Sequence, residues 1–312
     1  METIAQQPQA DGDEMNVTDG FYDFFYAAQD GLQLHARVYG EPSDGRLPVV
    51  CLPGLTRNAR DFHELALSLS RDGEAPRQVV AFDYRGRGRS AWDADWRKYD
   101  AKVETQDVID GLAALGIGEA AFIGTSRGGV LVHLIAAMRP ALIRAAVLND
   151  IGPVVEVAGL VQIRTYLADA PKPKTFAEAG AIARAAQGNA FSALADADWE
   201  RLVRAIHRDE GGVPVGDFDP ALLNTLAGLD PEKPLPELWP LFAALSKVPV
   251  LAIRGANSTL FSAATLEEMG RRHPGLSAVT VEGQGHAPLL ETGDLPARIK
   301  AFLAEAEGKA GA

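Results

Sequence analysis

Apolar residues along this chain recur in two spacings, and the two alternate. Short, mostly apolar runs stand at Pro48–Pro53 (PVVCLP), Gln78–Phe82, Ala120–Ile123, Ala145–Leu148, Val248–Ile253 and Ala278–Val281. A strand half open to water would alternate apolar with polar; the continuous run Pro48–Pro53 suits a strand covered on both faces, as does Gln78–Phe82, and the other runs read as strands. Between most of these runs the apolar positions return at helical spacing, predicting helices over Ala59–Ser70, Lys102–Leu115, Gly128–Met138, Ala263–Arg271 and Leu295–Glu305. Ahead of them, Phe21–Ala27 and Leu32–Tyr39 flank Gln29-Asp30-Gly31, which reads as a β-hairpin. Strand and helix in alternation predict an α/β fold: a mostly parallel, eight-stranded sheet with helices on both faces.

Between Gly152 and Leu245 the strand signal stops. The segment is rich in Ala, Leu and charged residues, with prolines at 171, 173, 214, 220, 231, 234, 236 and 240. Helices with proline-marked joints are expected there, inserted into the sheet topology as a helical cap over 153–245. The core is then 21–152 together with 246–312. Residues 1–20 are polar and acidic, unlike a signal or transit peptide, and read as a disordered leader. The Ala/Glu/Gly/Lys tail after Ala304 is expected to fray.

Composition narrows the partners. Apolar residues make up 47% and charged residues 23% of 312, enough for one large domain with a sizeable core. A net charge of −12 with no basic cluster argues against nucleic acid as a partner. No run is long enough for a membrane span. The single cysteine, Cys51, excludes an intrachain disulfide framework and a cysteine-cluster metal site, and suits the cytoplasm. No His/Asp/Glu pair has metal-ligand spacing on a helix, so neither a metal nor another cofactor is expected. Nothing in the pattern specifies an oligomeric state.

The chemistry concentrates at Gly124-Thr125-Ser126-Arg127-Gly128, a G-x-S-x-G sequence between an apolar strand (AAFI) and an apolar helix (VLVHLIAAM). A strand that turns so sharply into a helix needs small residues around the serine. The turn raises Ser126 Oγ above the sheet edge, with the Arg127 N–H aimed at the same spot.

With three further motifs the chain resembles the α/β-hydrolase family over nearly its whole length after the leader. Pro53-Gly54-Leu55-Thr56 follows the third strand, where the family usually has His-Gly. Asp83-Tyr84-Arg85-Gly86-Arg87-Gly88-Arg89-Ser90 matches its D-x-R-G-x-G-x-S loop, and Gly285-His286-Ala287-Pro288 its G-H-x-P loop. The resemblance implies a serine hydrolase with Ser126 as nucleophile and His286 as base, in the family's order. It implies an oxyanion hole from the backbone N–H groups of Leu55 and Arg127.

A serine hydroxyl needs a base to become a nucleophile, and His286, on a Gly-flanked loop after the last strand, is the best placed of six histidines. The departure from the family is at the acid. After Val248–Ile253 the chain reads Arg254-Gly255-Ala256-Asn257-Ser258-Thr259-Leu260, with no carboxylate. Asp150, at the end of the strand next after the elbow, is the candidate acid, as in some members of the family; Glu282 is the alternative. Arg57, His207 and Trp199 are candidate substrate contacts, although Arg57 and its neighbours Asn58 and Arg60 equally suit capping of the following helix. The expected activity is cleavage of a small-molecule carboxylic ester or lactone through an acyl-enzyme. Hydrolytic C–C cleavage of a β-diketone-like substrate uses the same groups, and a degenerate hydrolase fold serving as a small-molecule receptor is the non-enzymatic alternative.

Overall fold

The computed structural model describes residues 19–168 and 171–310. Of the leader expected over 1–20, all but Asp19 and Gly20 lies outside the described residues. The chain runs β1 (Phe21–Ala27), β2 (Gln33–Tyr39), β3 (Val49–Leu52), α1 (His63–Ser70), β4 (Val79–Asp83), α2 (Ala101–Ala114), β5 (Ala120–Thr125), α3 (Arg127–Met138) and β6 (Ile143–Asn149). Then come α4 (Val157–Ala168), α5 (Phe176–Gln187), α6 (Asp196–Ile206), β7 (His207–Glu210), β8 (Val213–Gly216) and α7 (Trp239–Ala243). The chain closes with β9 (Val250–Gly255), α8 (Ala263–Arg272), β10 (Leu276–Val281) and α9 (Leu295–Ala310).

Eight strands form one sheet in the order β1-β2-β4-β3-β5-β6-β9-β10. β1 and β2 are antiparallel, and β2 meets β4 antiparallel; from β4 onward every pair is parallel. The parallel strands therefore deliver their carboxyl ends to one edge. Alternate side chains of each strand feed opposite faces. Val50, Leu52, Val80 and Phe82 pack with Val108 and Leu112 of α2 and Leu131, Val132 and Ile135 of α3. Val49, Cys51, Val79 and Ala81 pack with Leu65 and Leu69 of α1 and Ile299 and Leu303 of α9. Both faces are covered, which is why these strands read as continuous apolar runs. Among the described residues no helix is long and apolar enough to cross a membrane.

The structure differs from the sequence reading in three places. Within 153–245, expected to be helical throughout, β7 and β8 form a two-stranded hairpin. β7 is polar and charged, β8 is a short Val-Pro-Val-Gly run, and only Pro214 is buried, so no apolar pattern announced it. The sign that was present is the Gly211-Gly212 turn, where both residues have positive φ, as a tight hairpin turn demands. The helix expected over Ala59–Ser70 begins as a 3-10 turn, Ala59–Phe62, capped by the Asn58 side chain, and only then becomes α1. Finally, α9 runs past Ala304 to Ala310. Glu307 anchors it, accepting from Arg77, from Arg46 and from the Leu47 N–H. Those partners lie at the far end of the chain, so local composition held no hint of them.

The Arg77 side chain is only 2% exposed, and Glu307 is its counter-charge. Truncation would leave a buried guanidinium unpaired, a change that typically costs several kcal/mol. Glu307→Ala is expected to lower the unfolding free energy in urea by about 3 kcal/mol. Arg46→Ala, removing the more exposed partner, is expected to cost under about 1 kcal/mol.

Candidate active site

At the end of β5 the backbone turns into α3 within one residue. Ser126 carries the turn at φ 51° and ψ −112°, a conformation that L-residues rarely adopt. The approach is too close for side chains. A Cβ on Gly128 would overlap the Leu52 carbonyl, one on Gly129 the Ile151 side chain, and one on Gly124 the Gly128 backbone. The Ser126 N–H is tied to the Asn149 carbonyl of the neighbouring strand at 3.0 Å, which holds the strained residue in place.

Ser126 Oγ lies 2.8 Å from His286 Nε2, and His286 Nδ1 lies 2.6 Å from Asp150 Oδ2. The three residues come from the ends of β5 and β6 and the loop after β10, all at the carboxyl edge. Asp150 is fully buried and has φ 53°. Its Oδ1 accepts the Gly255 N–H at 2.7 Å, and its Oδ2 accepts the Ser258 hydroxyl at 2.5 Å. With donors converging on both oxygens the carboxylate acts as an acceptor, so Nδ1 of His286 carries the ring proton and Nε2 faces Ser126 as the acceptor. Glu282, the alternative acid, is exposed.

Sequence reasoning missed two supports of this arrangement. Ser258 stands in the loop searched for a carboxylate; what that loop supplies is a hydroxyl and a backbone N–H for Asp150. Asn149 Nδ2 bonds the Pro288 carbonyl at 2.9 Å and Thr125 Oγ1 at 3.1 Å, fastening the His286 loop to the elbow strand. The signal available was a pair of polar residues, Asn149-Asp150, ending an apolar strand.

The Leu55 and Arg127 N–H groups donate to no turn, cap or loop acceptor among the described residues. The Gly54 carbonyl, on the same peptide as the Leu55 N–H, accepts from the Arg57 N–H at 3.1 Å. In a trans peptide the N–H then points the opposite way.

Each candidate substrate contact is engaged within the protein. Arg57 directs Nε and Nη2 at Asp61, at 2.7 and 2.8 Å, an ion pair within its own turn. His207 opens β7, with Nδ1 2.9 Å from the Val203 carbonyl; burial lowers its pKa, and Arg57 lies close enough to lower it further. Trp199 packs inside a small core of Phe191, Ala179, Ala183, Leu202 and Val203. The remaining histidines are occupied structurally. His133 is buried beside Phe242, and burial pushes its pKa down to about 4. His35 sits between Asp83 and Asp23 at 2.7 and 2.8 Å; His63 meets the Tyr39 hydroxyl; His273 holds the Leu245 carbonyl. Among the described residues no three His, Cys, Asp or Glu side chains group as metal ligands. Cys51 is buried in β3, and burial pushes its thiol pKa up.

A profile of the alpha/beta hydrolase family matches residues 49–299. A 3-hydroxybutyrate-oligomer hydrolase from Cupriavidus necator is 33% identical over 265 residues, covering 82% of this chain and 88% of that protein. A 2-(acetamidomethylene)succinate hydrolase from Mesorhizobium japonicum is 29% identical over 233 residues, covering 75% and 79%. Among solved structures, an alpha/beta hydrolase from Novosphingobium aromaticivorans superposes with a TM-score of 0.84 at 37% identity, covering 91% of this chain and 98% of that one.

Just beyond the His286 loop, Glu291 is partly buried near Asp61, Arg201 and Arg57. Burial raises its carboxyl pKa to about 7, its own backbone N–H opposes this, and Asp61 adds to it. A carboxyl whose folded pKa lies above its unfolded one holds its proton better when folded. Its contribution is therefore fully present at low pH and is lost as pH rises through about 4.5 to 7. Glu291→Gln removes that loss. The variant is expected to match wild type near pH 4 and to exceed it by about 2 kcal/mol near pH 8, read from urea denaturation at both pH values.

Proposed function

This chain belongs to the alpha/beta hydrolase family, and we propose that it hydrolyses carboxylic esters through a covalent intermediate on Ser126. The observation that carries the reading is the unbroken run from Ser126 Oγ to His286 at 2.8 Å and from His286 to Asp150 at 2.6 Å. In this scheme His286 Nε2 takes the Ser126 proton as Oγ attacks the ester carbonyl. Asp150 keeps the proton on Nδ1 and stabilises the imidazolium as it forms. The N–H groups of Leu55 and Arg127 receive the charge that develops on the carbonyl oxygen. The imidazolium then protonates the departing alcohol, and a water activated by the same nitrogen releases the acid. Every proton moves between Ser126, His286, substrate and water.

For substrate class, the relative from Cupriavidus necator supports an ester: its name specifies 3-hydroxybutyrate oligomers, whose links are esters. Short hydroxyalkanoate esters are therefore the favoured substrates, ahead of lactones and of C–C cleavage. The segment 153–245 leaves the sheet after β6, at the carboxyl edge where open α/β sheets bind ligands, before the chain rejoins the sheet at β9; we read it as the cap over the acyl pocket. Against the receptor alternative stands Asp150, whose carboxylate lies 2.6 Å from His286 Nδ1 although residues 254–260 offer no acid.

A fluorophosphonate probe is expected to label wild type at Ser126 and to leave Ser126→Ala unlabelled, with a 3-hydroxybutyrate dimer cleaved only by wild type. Labelling at another residue, read by peptide mass spectrometry, would refute the nucleophile. Asp150→Asn is expected to keep the fold by circular dichroism while kcat falls by about 10⁴, because an amide donates where the ring must donate. A kcat within tenfold of wild type would remove Asp150 from the mechanism.

A further inference from the structure

The loop after β3 and the start of α3 supply the two N–H groups of the oxyanion site, and a buried chain of charges connects them. The peptide bearing the Leu55 N–H is fixed from both sides. Before it, the Pro53 carbonyl accepts from the Tyr84 hydroxyl at 3.1 Å; after it, the Leu55 carbonyl accepts from Arg87 Nε at 2.8 Å. Arg87 also donates through Nη1 to the Arg85 carbonyl at 2.7 Å, and the same Nη1 meets Glu104 Oε1 at 2.7 Å. Glu104, on the first turn of α2, turns its other oxygen to Arg127 Nε at 2.8 Å. Arg127 is the residue whose N–H forms the second half of the site. The contacts thus run Leu55–Arg87–Glu104–Arg127 from one donor residue to the other.

The neighbouring pair shows how this differs from a simple brace. Arg85 grips Asp107 with two parallel bonds of 2.7 Å, a saturated fork. Arg87 and Glu104 are both wholly buried, yet their contact is a close approach of charges without an aligned hydrogen bond, and Arg87 Nη2 has no hydrogen-bond partner. The Tyr84 and Tyr99 rings, 5.6 and 5.5 Å from the guanidinium, supply π-faces instead. A buried, incompletely bonded ion pair adds little stability over apolar residues of the same shape. What this one does is hold two separate backbone segments at a fixed distance.

We propose that Glu104 is a positioning residue that aligns the two oxyanion donors with each other through Arg87 and Arg127. The inference rests on the serine-hydrolase reading above. The donors act on charge that exists only in the transition state, so their misalignment lowers kcat and leaves substrate binding nearly unchanged.

Glu104→Gln keeps the shape and removes the charge that both guanidinium groups share. Its kcat on a 3-hydroxybutyrate dimer is expected to fall by about tenfold to a hundredfold, less than the loss of a donor outright, with KM within about twofold. Affinity for an alkyl boronic acid, whose tetrahedral adduct on Ser126 occupies the same donors, is expected to fall by the same factor as kcat/KM. Arg127→Met cuts the chain at its partly exposed end and keeps the backbone N–H. It is expected to shift both readouts in the same direction, and it stands in for Glu104→Gln should that variant fail to fold. Wild-type kcat and boronate affinity in a folded variant, with only the unfolding midpoint lowered, would overturn the inference while leaving the hydrolase reading intact. A wild-type chain that neither cleaves esters nor takes a fluorophosphonate on Ser126 would overturn both.

Discussion

Much of this molecule is organised around a single buried carboxylate. Asp150 has no exposure to water, and an ionised group in that position is tolerable only where donors replace its hydration. The donors come from separate places: the Gly255 N–H at the end of β9, the Ser258 hydroxyl beyond it, and the His286 ring from the loop after β10. None of these is near Asp150 in sequence. The parallel sheet must first set β6 beside β9, and β9 beside β10, before the carboxylate is satisfied. The residue pays for its burial only in the assembled fold. The same requirement brings His286 to Ser126.

The edge of the sheet is fastened below this point as well. Asp83, at the end of β4, accepts the Ala59 N–H on one oxygen and the Arg89 N–H and His35 ring on the other. It thereby joins the loop that carries Leu55 to the glycine-rich loop that carries Arg85 and Arg87. In α2, Glu104 and Asp107 lie on one face, and each meets one of those arginines. The site is therefore a set of backbone segments held at fixed separations by buried polar side chains, on a sheet whose apolar faces are packed independently.

How much of this the sequence disclosed depends on the range of the interaction. Strands buried on both faces, such as β3 and β4, write themselves as apolar runs. β1 and β10, half open to solvent, were marked by hairpin and apolar signals, and all eight strands appeared with ends displaced by a few residues. The elbow was legible because the turn itself brings Gly124 against Gly128, a local demand for small residues, although Gly128 and Gly129 also meet Leu52 and Ile151 from outside the turn. The hairpin of β7 and β8 was not legible because it buries almost nothing, so its stability comes from backbone pairing that leaves no side-chain period. The extension of α9 depends on Arg77, at the other end of the chain. Asp150 could be named from its place at a strand end, but Ser258 and Asn149 acquire their roles only when three loops meet. The Arg57–Asp61 pair has a spacing of four that the sequence shows, but only the folded turn brings the two together.

The β7–β8 hairpin is stitched to the sheet edge through Asp217. Asn58 Nδ2 reaches that carboxylate at 3.2 Å and the Ala205 carbonyl at 3.1 Å, while Arg60 meets Asp217 at 2.7 Å. The Gly88 N–H holds the Asp217 carbonyl, and the Asp219 N–H holds that of Gly86. Asp217 and Asn58 are both buried, so lifting the hairpin would strip partners from each of them in the same event. Partners lost together favour opening as one cooperative unit. In hydrogen-exchange terms, the amides of Gly88, Asp219 and the β7–β8 ladder are expected to form one protection class. The Asn58 cap, three residues after Leu55, shares those bonds, so it is expected to open with the hairpin.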